Sequence, residues 1–224
     1  MGVQLPRWVW IGAGALACVA GMVNAVGFLG FEHQAVTHLT GTTTLLGASI
    51  VSADGRASLH LAGVALAFVA GAALSGMIIQ DATLRLGRRY GLVLALESLL
   101  LFASAVMFRR QETTGALLAA MACGLQNAMA TTFSGAVVRT THLSGMFTDL
   151  GIGLGHALRG LPLQRRRLAL CALIITAFLV GGVLGAAFFA HMGTDALLVP
   201  ATLTGVVGVG YAAYRHRMDA RAQA

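Results

Sequence analysis

Long apolar runs, separated by short links that carry most of the charges, make up the chain. The longer runs exceed the ~18 residues that mark a membrane-spanning helix, and they lack the strict alternation of a β-barrel strand. We therefore predict an all-α integral membrane protein. Charged residues, glycines and prolines bound the runs, and they place helices near residues 8–30, 38–52, 58–80, 90–108, 114–132, 142–157, 167–190 and 197–214.

One polar motif occurs twice within these runs. Residues 37–47 read THLTGTTTLLG, and residues 141–151, 104 positions later, read THLSGMFTDLG, with seven of eleven positions identical. Upstream, GMVNA at 21–25 is answered by GLQNA at 124–128, an offset of 103. Self-similarity of this kind indicates a duplicated unit. We predict a single membrane domain over residues 1–224, built from two four-element repeats at about 8–108 and 114–214.

The second element of each repeat, which begins with the motif, is short for a membrane span. Residues 41–52 would extend ~18 Å as a helix, against a hydrocarbon core of ~30 Å. If both short elements cross, the protein has eight spans and parallel repeats. If both re-enter on one side, six full spans and two half-helices remain, and the repeats are inverted.

The arginine distribution favours the inverted arrangement. With six spans, 12 of the 15 arginines lie on the cytoplasmic side, including the cluster Arg85, Arg88 and Arg89; with eight spans, 11 do and the cluster faces out. Positive residues concentrate on the cytoplasmic side of membrane proteins. We expect six full spans, two re-entrant half-helices, and cytoplasmic N- and C-termini in a bacterial inner membrane.

Composition excludes a soluble globule and a nucleic-acid-binding protein. The chain is 57% hydrophobic and only 10% charged, with a mean hydropathy of +0.80. Its net charge of +7 comes from arginines that lie in the links, and there is no lysine. That pattern is typical of topology control rather than of a nucleic-acid surface. We expect the lipid bilayer as a partner, and the homo-oligomeric state stays open.

Hydroxyl residues and glycines cluster where each half-helix begins. A helix that starts inside a bilayer leaves its first backbone N–H groups without partners, and lipid supplies none. Thr and Ser side chains can cap these groups, and glycine allows close approach by another group. Two such N-termini facing each other would bind an anion or a polar group. The candidate binding residues are Thr40, Gly41, Thr42, Ser144 and Gly145. The alternative is that these hydroxyls satisfy one another across a helix interface.

Two asparagines and two histidines accompany the motifs. Asn24 and Asn127 lie late in the first helix of each repeat, where an amide can bind a solute or hold the half-helix in place. His38 and His142 stand at the start of the half-helices, where an imidazole can donate to a ligand or stay a structural partner. We include all four as candidate substrate-binding residues.

Two carboxylates fall inside predicted spans, Glu97 and Asp149. A charged side chain at the bilayer centre costs at least ~2.5–3.5 kcal/mol on insertion scales, so each is a candidate for a functional site. Asp149 is the stronger candidate for proton coupling, because its counterpart in the first repeat is Leu45. The alternatives for Asp149 are a salt bridge to Arg139 and an interaction with the positive N-terminal end of its helix. The alternative for Glu97 is a protonated interhelical hydrogen bond.

No enzyme signature is present. The chain lacks G-x-S-x-G, H-E-x-x-H and phosphate-binding G-K-[ST] motifs. Its three cysteines lie inside apolar runs without metal-ligand spacing, and free cysteine behaves there as a small hydrophobic residue. We predict a protein that is not an enzyme and has no cofactor and no metal.

The residues around the two motifs resemble the YoaK-like family of small bacterial membrane proteins, whose function is largely unassigned. The likeness covers nearly the whole chain. It rests on Asn24-Ala25 before the first link, on the sequence His-Leu-Thr-Gly at 38–41, and on Arg139-Thr140-Thr141 leading to Thr148-Asp149-Leu150. The resemblance implies a polytopic protein with six spans and supports the half-helix arrangement.

Inverted repeats and duplicated half-helices are typical of secondary transporters. We predict a transporter of a small polar or anionic solute, which binds between the half-helix N-termini near the midplane of the bilayer, with proton coupling through Asp149 or Glu97. Two other functions fit the same sequence. One is a channel for a small anion or neutral solute, in which the N-termini form a selectivity constriction. The other is a membrane component that binds a partner protein and transports nothing.

Overall fold

The structure, a computed structural model, describes residues 6–30, 37–79, 89–110, 112–134 and 139–222. Within these ranges the regular elements are all helices, so the all-α prediction is confirmed. They are α1 (Arg7–Gly30), α2 (Leu39–Val51), α3 (Gly55–Ile78), α4 (Arg89–Arg109), α5 (Thr114–Ser134), α6 (Leu143–Leu158), α7 (Arg165–Met192) and α8 (Leu198–Ala222), with a 3-10 helix (Gly193–Leu197) between the last two.

The predicted helix ends lie within three residues of the observed ones, except at the C-terminus of α8. This helix was expected to stop near residue 214 and continues to Ala222. Its last turns are rich in alanine and arginine, which are strong helix formers and need no bilayer to stay helical. The cluster residues Arg85 and Arg88, which entered the topology argument, lie outside the described residues.

Four stretches of the described chain are long and apolar enough to cross a membrane, which indicates a membrane protein. They are Arg7–Gly30, Gly55–Ile78, Arg89–Arg109 and Arg165–Tyr214. The last is 50 residues long and contains α7, the 3-10 helix and most of α8. Helix α5 has 21 residues, as many as α4, yet is not among the four. It carries the adjacent polar residues Gln126 and Asn127.

The first helix of each predicted repeat packs along the third helix of the other, α1 against α7 and α3 against α5. Four glycines bring these backbones together, because a methyl group on any of them would collide with a carbonyl oxygen of the facing helix. The pairs are Gly21 with Phe178, Gly124 with Phe68, Gly71 with Met121, and Gly181 with Cys18.

The two helices of each such pair run in the same direction. Gly14 lies beside Leu173 and Gly30 beside Phe189, so positions rise together along α1 and α7. In the other pair, Gly63 lies beside Leu117 and Gly71 beside Leu125, and positions again rise together along α3 and α5.

The fourth helices of the two repeats, α4 and α8, also pack against each other, but in opposite directions. Near the start of α4, a methyl group on Gly91 would lie 3.0 Å from the Cβ of Ala212, in the second half of α8. About two turns later on α4, the Ser98 hydroxyl donates to the carbonyl oxygen of Ala201, near the start of α8, at 2.7 Å. Positions therefore rise along one helix and fall along the other.

The two motif helices are short and lie at the periphery. Helix α2 has 13 residues and packs on α3, and α6 has 16 residues and packs on α7. At 1.5 Å per residue they extend ~20 and ~24 Å, less than a ~30 Å hydrocarbon core. Both expose large apolar side chains, among them Ile50 and Leu154. The expected shortness of these elements is confirmed.

Candidate functional site

A chain of three buried polar side chains joins α4, α5 and the residues just before α6. The Gln126 amide nitrogen donates to Oε1 of Glu97 at 3.0 Å. The hydroxyl of Thr140 donates to the amide oxygen of Gln126 at 3.3 Å. None of the three side chains is more than 2% exposed. The chain therefore fixes the start of a short helix to a carboxyl group deep in the helix bundle.

One carboxyl oxygen among these three side chains has no hydrogen-bond partner in the described part of the protein. Oε2 of Glu97 is buried and has no hydrogen-bond partner among the described residues. Leu94 and Leu101, one turn before and one turn after Glu97 on α4, are buried and apolar. A buried polar atom without a partner costs ~1–3 kcal/mol, so a native structure that keeps one calls for a reason. A proton on this oxygen, or a donor group of a ligand, would satisfy it.

The first half of the protein has a smaller counterpart of this chain. The amide oxygen of Asn24 on α1 accepts a hydrogen bond from the Thr37 hydroxyl at 2.6 Å and another from the Thr37 backbone nitrogen at 3.3 Å. Thr37 is buried and lies two residues before α2. An amide on the first helix of the half thus holds the residues that lead into the short helix.

The correspondence between the halves is shifted by one residue. Asn127 is the sequence counterpart of Asn24, but the preceding residue, Gln126, makes the equivalent bond, and its partner is Thr140. The amide oxygen of Asn127 is buried and has no hydrogen-bond partner among the described residues. The described residues therefore contain two carboxyl or amide oxygens that are buried without a partner, one on Asn127 of α5 in the second half and one on Glu97 of α4 in the first half.

The histidines stand where the sequence predicted, at the N-terminal caps of α2 and α6. Nδ1 of His38 accepts from the backbone nitrogen of Gly41 at 3.3 Å, which caps the helix. His142 makes no side-chain capping bond, and its Nδ1 lies 3.2 Å from Nη1 of Arg139. Both histidines are exposed.

The glycines of the motif make room for these histidines. A methyl group on Gly41 would lie 3.0 Å from Nδ1 of His38. One on Gly145 would lie 2.9 Å from Nε2 of His142. Both distances are tighter than a normal contact, so glycine permits each imidazole to lie over the first turn of its helix.

The hydroxyl residues of the motif follow their own helices. Thr42 is buried, and its hydroxyl donates to the carbonyl oxygen of His38 at 3.4 Å. Thr40 and Ser144 are exposed, and their carbonyl oxygens accept from the Thr44 and Thr148 hydroxyls at 3.0 Å each. Thr40 and Thr42 lie on α2, which packs on α3, and Ser144 lies on α6, which packs on α7.

Asp149 forms an ion pair that the sequence did not reveal. The guanidinium of Arg167 on α7 donates to both carboxylate oxygens, at 2.9 Å from Nη2 and 3.1 Å from Nε. The Cys171 thiol lies 3.8 Å from the same carboxylate. One expected alternative for Asp149 was a salt bridge with Arg139, and the ion pair is with Arg167 instead. It fastens α6 to α7, as a hydrogen bond between Ser49 and Ser58 fastens α2 to α3.

Sequence reasoning missed Thr37, Gln126 and Thr140 as site residues. The signal for Gln126 was present, since a glutamine next to an asparagine in an apolar helix is expensive to bury without a partner. Whether Gln126 or Asn127 meets Glu97 depends on which face of α5 packs against α4. Tertiary packing sets this rotation, so no local sequence pattern predicts it. Among the described residues no cluster of His, Cys, Asp and Glu is suited to hold a metal ion.

A family model described as a protein of unknown function, DUF1275, matches residues 12–210. The chain belongs to this family. The DUF1275 match covers both copies of the motif and all of the polar residues described above. It supports the expectation of an uncharacterised family and assigns no activity. Comparison with curated proteins and with solved structures finds no match.

Proposed function

We propose that this protein is a secondary transporter of a small polar or anionic solute, built from two inverted repeats and coupled to protons through Glu97. The observation that carries the proposal is the buried chain Glu97–Gln126–Thr140, with its unsatisfied carboxyl oxygen. Carboxyl groups inside membrane helices mark proton and substrate pathways.

The helix directions support six full spans in the bilayer. If α2 and α6 re-enter, the spans are α1, α3, α4, α5, α7 and α8, and successive spans alternate in direction. That order makes α4 and α8 antiparallel and the pairs α1–α7 and α3–α5 parallel. These are the directions in which the contacting helices run. An eight-span order would make α4 and α8 parallel. An order with only one short helix crossing would make α1 and α7 antiparallel.

The glycine contacts support two inverted copies of one unit. Gly124 follows Gly21 by 103 residues, and their carbonyl partners Phe178 and Phe68 are 110 residues apart. The same two offsets relate the contacts of Gly71 and Gly181. Contacts that map onto each other when the halves are exchanged indicate a two-fold relation. Transporters that rock one repeat against the other have this relation, with the binding site between the repeats.

Glu97 is better placed than Asp149 to carry a proton. The Asp149 carboxylate accepts hydrogen bonds at both oxygens from the permanently charged guanidinium of Arg167, so it already has a cationic partner. Glu97 has no cation partner among the described residues, and only the neutral Gln126 amide binds it. The neutral carboxyl group can stay buried, and the ionised one needs a cationic or donor-rich partner such as a solute. Gaining and losing a proton at Glu97 would thereby be linked to solute binding.

The solute would bind beside Glu97 and Asn127, whose buried oxygens have no hydrogen-bond partner among the described residues, and we expect it to carry hydrogen-bond donors. His38, His142 and the motif residues lie at the entrances of the short helices and would act in access rather than in direct binding. We also propose the bacterial inner membrane, with cytoplasmic termini, and the YoaK-like relationship suggested by the motifs.

Proton-coupled transport is tested in proteoliposomes that contain a pH-sensitive dye, with an imposed pH gradient and a panel of small polar solutes. We expect one solute class to cause saturable proton movement. Glu97→Gln should lower it at least about tenfold, because a neutral amide cannot exchange a proton. The matched control is Asp149→Asn, the other intramembrane carboxylate, which should keep most of the activity. Equal activity of Glu97→Gln and the wild type would exclude Glu97 as the coupling group.

The topology is tested separately by side-specific thiol labelling, in a background without the three native cysteines. With six spans, cysteines at Asp54 and Arg110 label from outside and one at Arg89 from the cytoplasm. An eight-span protein gives the opposite result at all three positions. That result would remove the inverted repeats and the mechanism that depends on them.

A further inference from the structure

An apolar cavity of about 590 Å³ lies between α1, α4, α5 and α8. Helix α4 packs along α5, whereas α8 has few contacts with α1, and the cavity occupies the gap. Its α1 wall extends from Trp8 to Met22. Fourteen residue steps at 1.5 Å correspond to ~21 Å, which is longer than one leaflet of a ~30 Å hydrocarbon core.

The lining gives a solute almost nothing to bind by hydrogen bonds. Most lining side chains are aliphatic, as with Ile11, Leu16 and Val19. The Thr204 hydroxyl is there, but it donates within its own helix to the carbonyl oxygens of Pro200 and Ala201, at 3.0 and 3.1 Å. Apolar cavities of this kind stay free of water. An empty cavity of this size would lose dispersion contacts along all four helices.

The cavity opens towards the hydrocarbon of the bilayer. Three lining side chains are also strongly exposed, Ile11 at 74%, Val207 at 58% and Leu203 at 48%. In a chain that spans a membrane, such apolar side chains face lipid. An acyl chain of the surrounding bilayer can enter from this side without crossing a polar surface.

One end of the cavity has the residues of a membrane interface. Trp8, Tyr90 and Tyr211 line that end, and such aromatic side chains lie at the level of lipid headgroups. Arg7 directly precedes Trp8, and Arg89 directly precedes Tyr90. Both arginines are exposed, so positive charge lies next to the mouth of an apolar cavity. The anionic phosphate of a phospholipid complements this charge.

We propose that this cavity binds one acyl chain of an anionic phospholipid, with the phosphate at the level of Arg7 and Arg89. The bound chain contacts four helices instead of the protein's outer surface alone, so this lipid is held more tightly than its neighbours. It also keeps α8 apart from α1. The site does not depend on transport of any solute.

Lipid binding is measured by native mass spectrometry of the purified full-length protein, delipidated in detergent and titrated with dioleoyl phosphatidylglycerol. We expect the first lipid to bind about tenfold more tightly than later ones, because it buries more apolar area. Gly12→Phe should fill the cavity from α1, where an added Cβ would meet no atom within 4 Å, and should abolish this first step.

The matched control is Gly47→Phe on α2, which also has open space around it but lies outside the cavity, and it should bind like the wild type. Val207→Trp blocks the opposite wall and replaces Gly12→Phe should that variant not fold. Arg7→Gln should weaken the first step for phosphatidylglycerol and leave phosphatidylcholine unaffected. Equal binding by the cavity-filling variants and the wild type, or a purely statistical series of bound lipids, would overturn the proposal.

Discussion

Replacing Gln126 by methionine removes the centre of the buried polar chain and keeps its volume. The change leaves Oε1 of Glu97 and the Thr140 hydroxyl without their partners, at a site that is 1% exposed. A buried unsatisfied group costs ~1–3 kcal/mol in soluble proteins, but side-chain hydrogen bonds in membrane proteins average only ~0.6 kcal/mol in double-mutant cycles. We therefore expect a loss of about 1–2 kcal/mol in the free energy of unfolding.

The sign of the coupling tests the chain more sharply than the size of the loss. In the Gln126→Met variant, the buried Glu97 carboxyl group has lost its hydrogen-bond partner and should lower stability. Adding Glu97→Met to that variant should therefore recover about 1 kcal/mol or more in the free energy of unfolding. The same Glu97→Met change in the wild type should be neutral or destabilising, because it strands the Gln126 amide. Reversible unfolding by dodecyl sulfate in mixed micelles gives all four free energies of the cycle. A loss below about 0.5 kcal/mol for Gln126→Met, or strictly additive changes, would refute the hydrogen-bonded chain.

Two further predictions concern helix packing and the Asp149 ion pair, and the same unfolding titration measures both. Gly21→Ala should cost about 1–3 kcal/mol because its methyl group meets the Phe178 carbonyl oxygen, whereas Gly12→Ala should change stability by less than about 0.5 kcal/mol; equal effects would argue against the close α1–α7 packing. Arg167→Gln should cost at most about 1 kcal/mol, because the arginine side chain is 57% exposed, and Asp149→Asn added to it should cost little more. A loss of several kcal/mol would mean that this pair is more deeply buried than its exposure indicates.

The sequence predicted the helices well because their signals are local. Apolar runs, their lengths and the residues that break them follow from the chain itself, and the motif caps His38 and His142 were found at the expected helix starts. The sequence did not predict which polar side chains pair between helices. Asp149 pairs with Arg167, 18 residues away on another helix, and Gln126 rather than Asn127 faces Glu97. Both depend on helix rotation, which tertiary packing sets.

The idea that motif residues of both repeats line one site remains a prediction. That prediction assumed equivalent surroundings for the two copies of the motif, whereas their surroundings differ. In the first half, the amide oxygen of Asn24 accepts two hydrogen bonds from Thr37. In the second half, the one-residue shift to Gln126 leaves the Asn127 oxygen without a hydrogen-bond partner among the described residues, and it joins Gln126 to the carboxyl group of Glu97 on α4 of the first half. The duplicated glycines keep the backbone packing common to both halves, while single substitutions at polar positions change the chemistry of one.

The same asymmetry bears on how a solute would reach Glu97. The Glu97–Gln126 bond crosses the α4–α5 contact, so a solute can approach the unsatisfied carboxyl oxygen only if these helices separate. The corresponding helices in the other half, α8 and α1, make few contacts with each other, and the apolar cavity lies between them. If the repeats exchange conformations during transport, the α1–α8 gap must close as the α4–α5 contact opens. Opening would expose a polar chain while closure buries apolar surface, so the two changes offset each other in free energy.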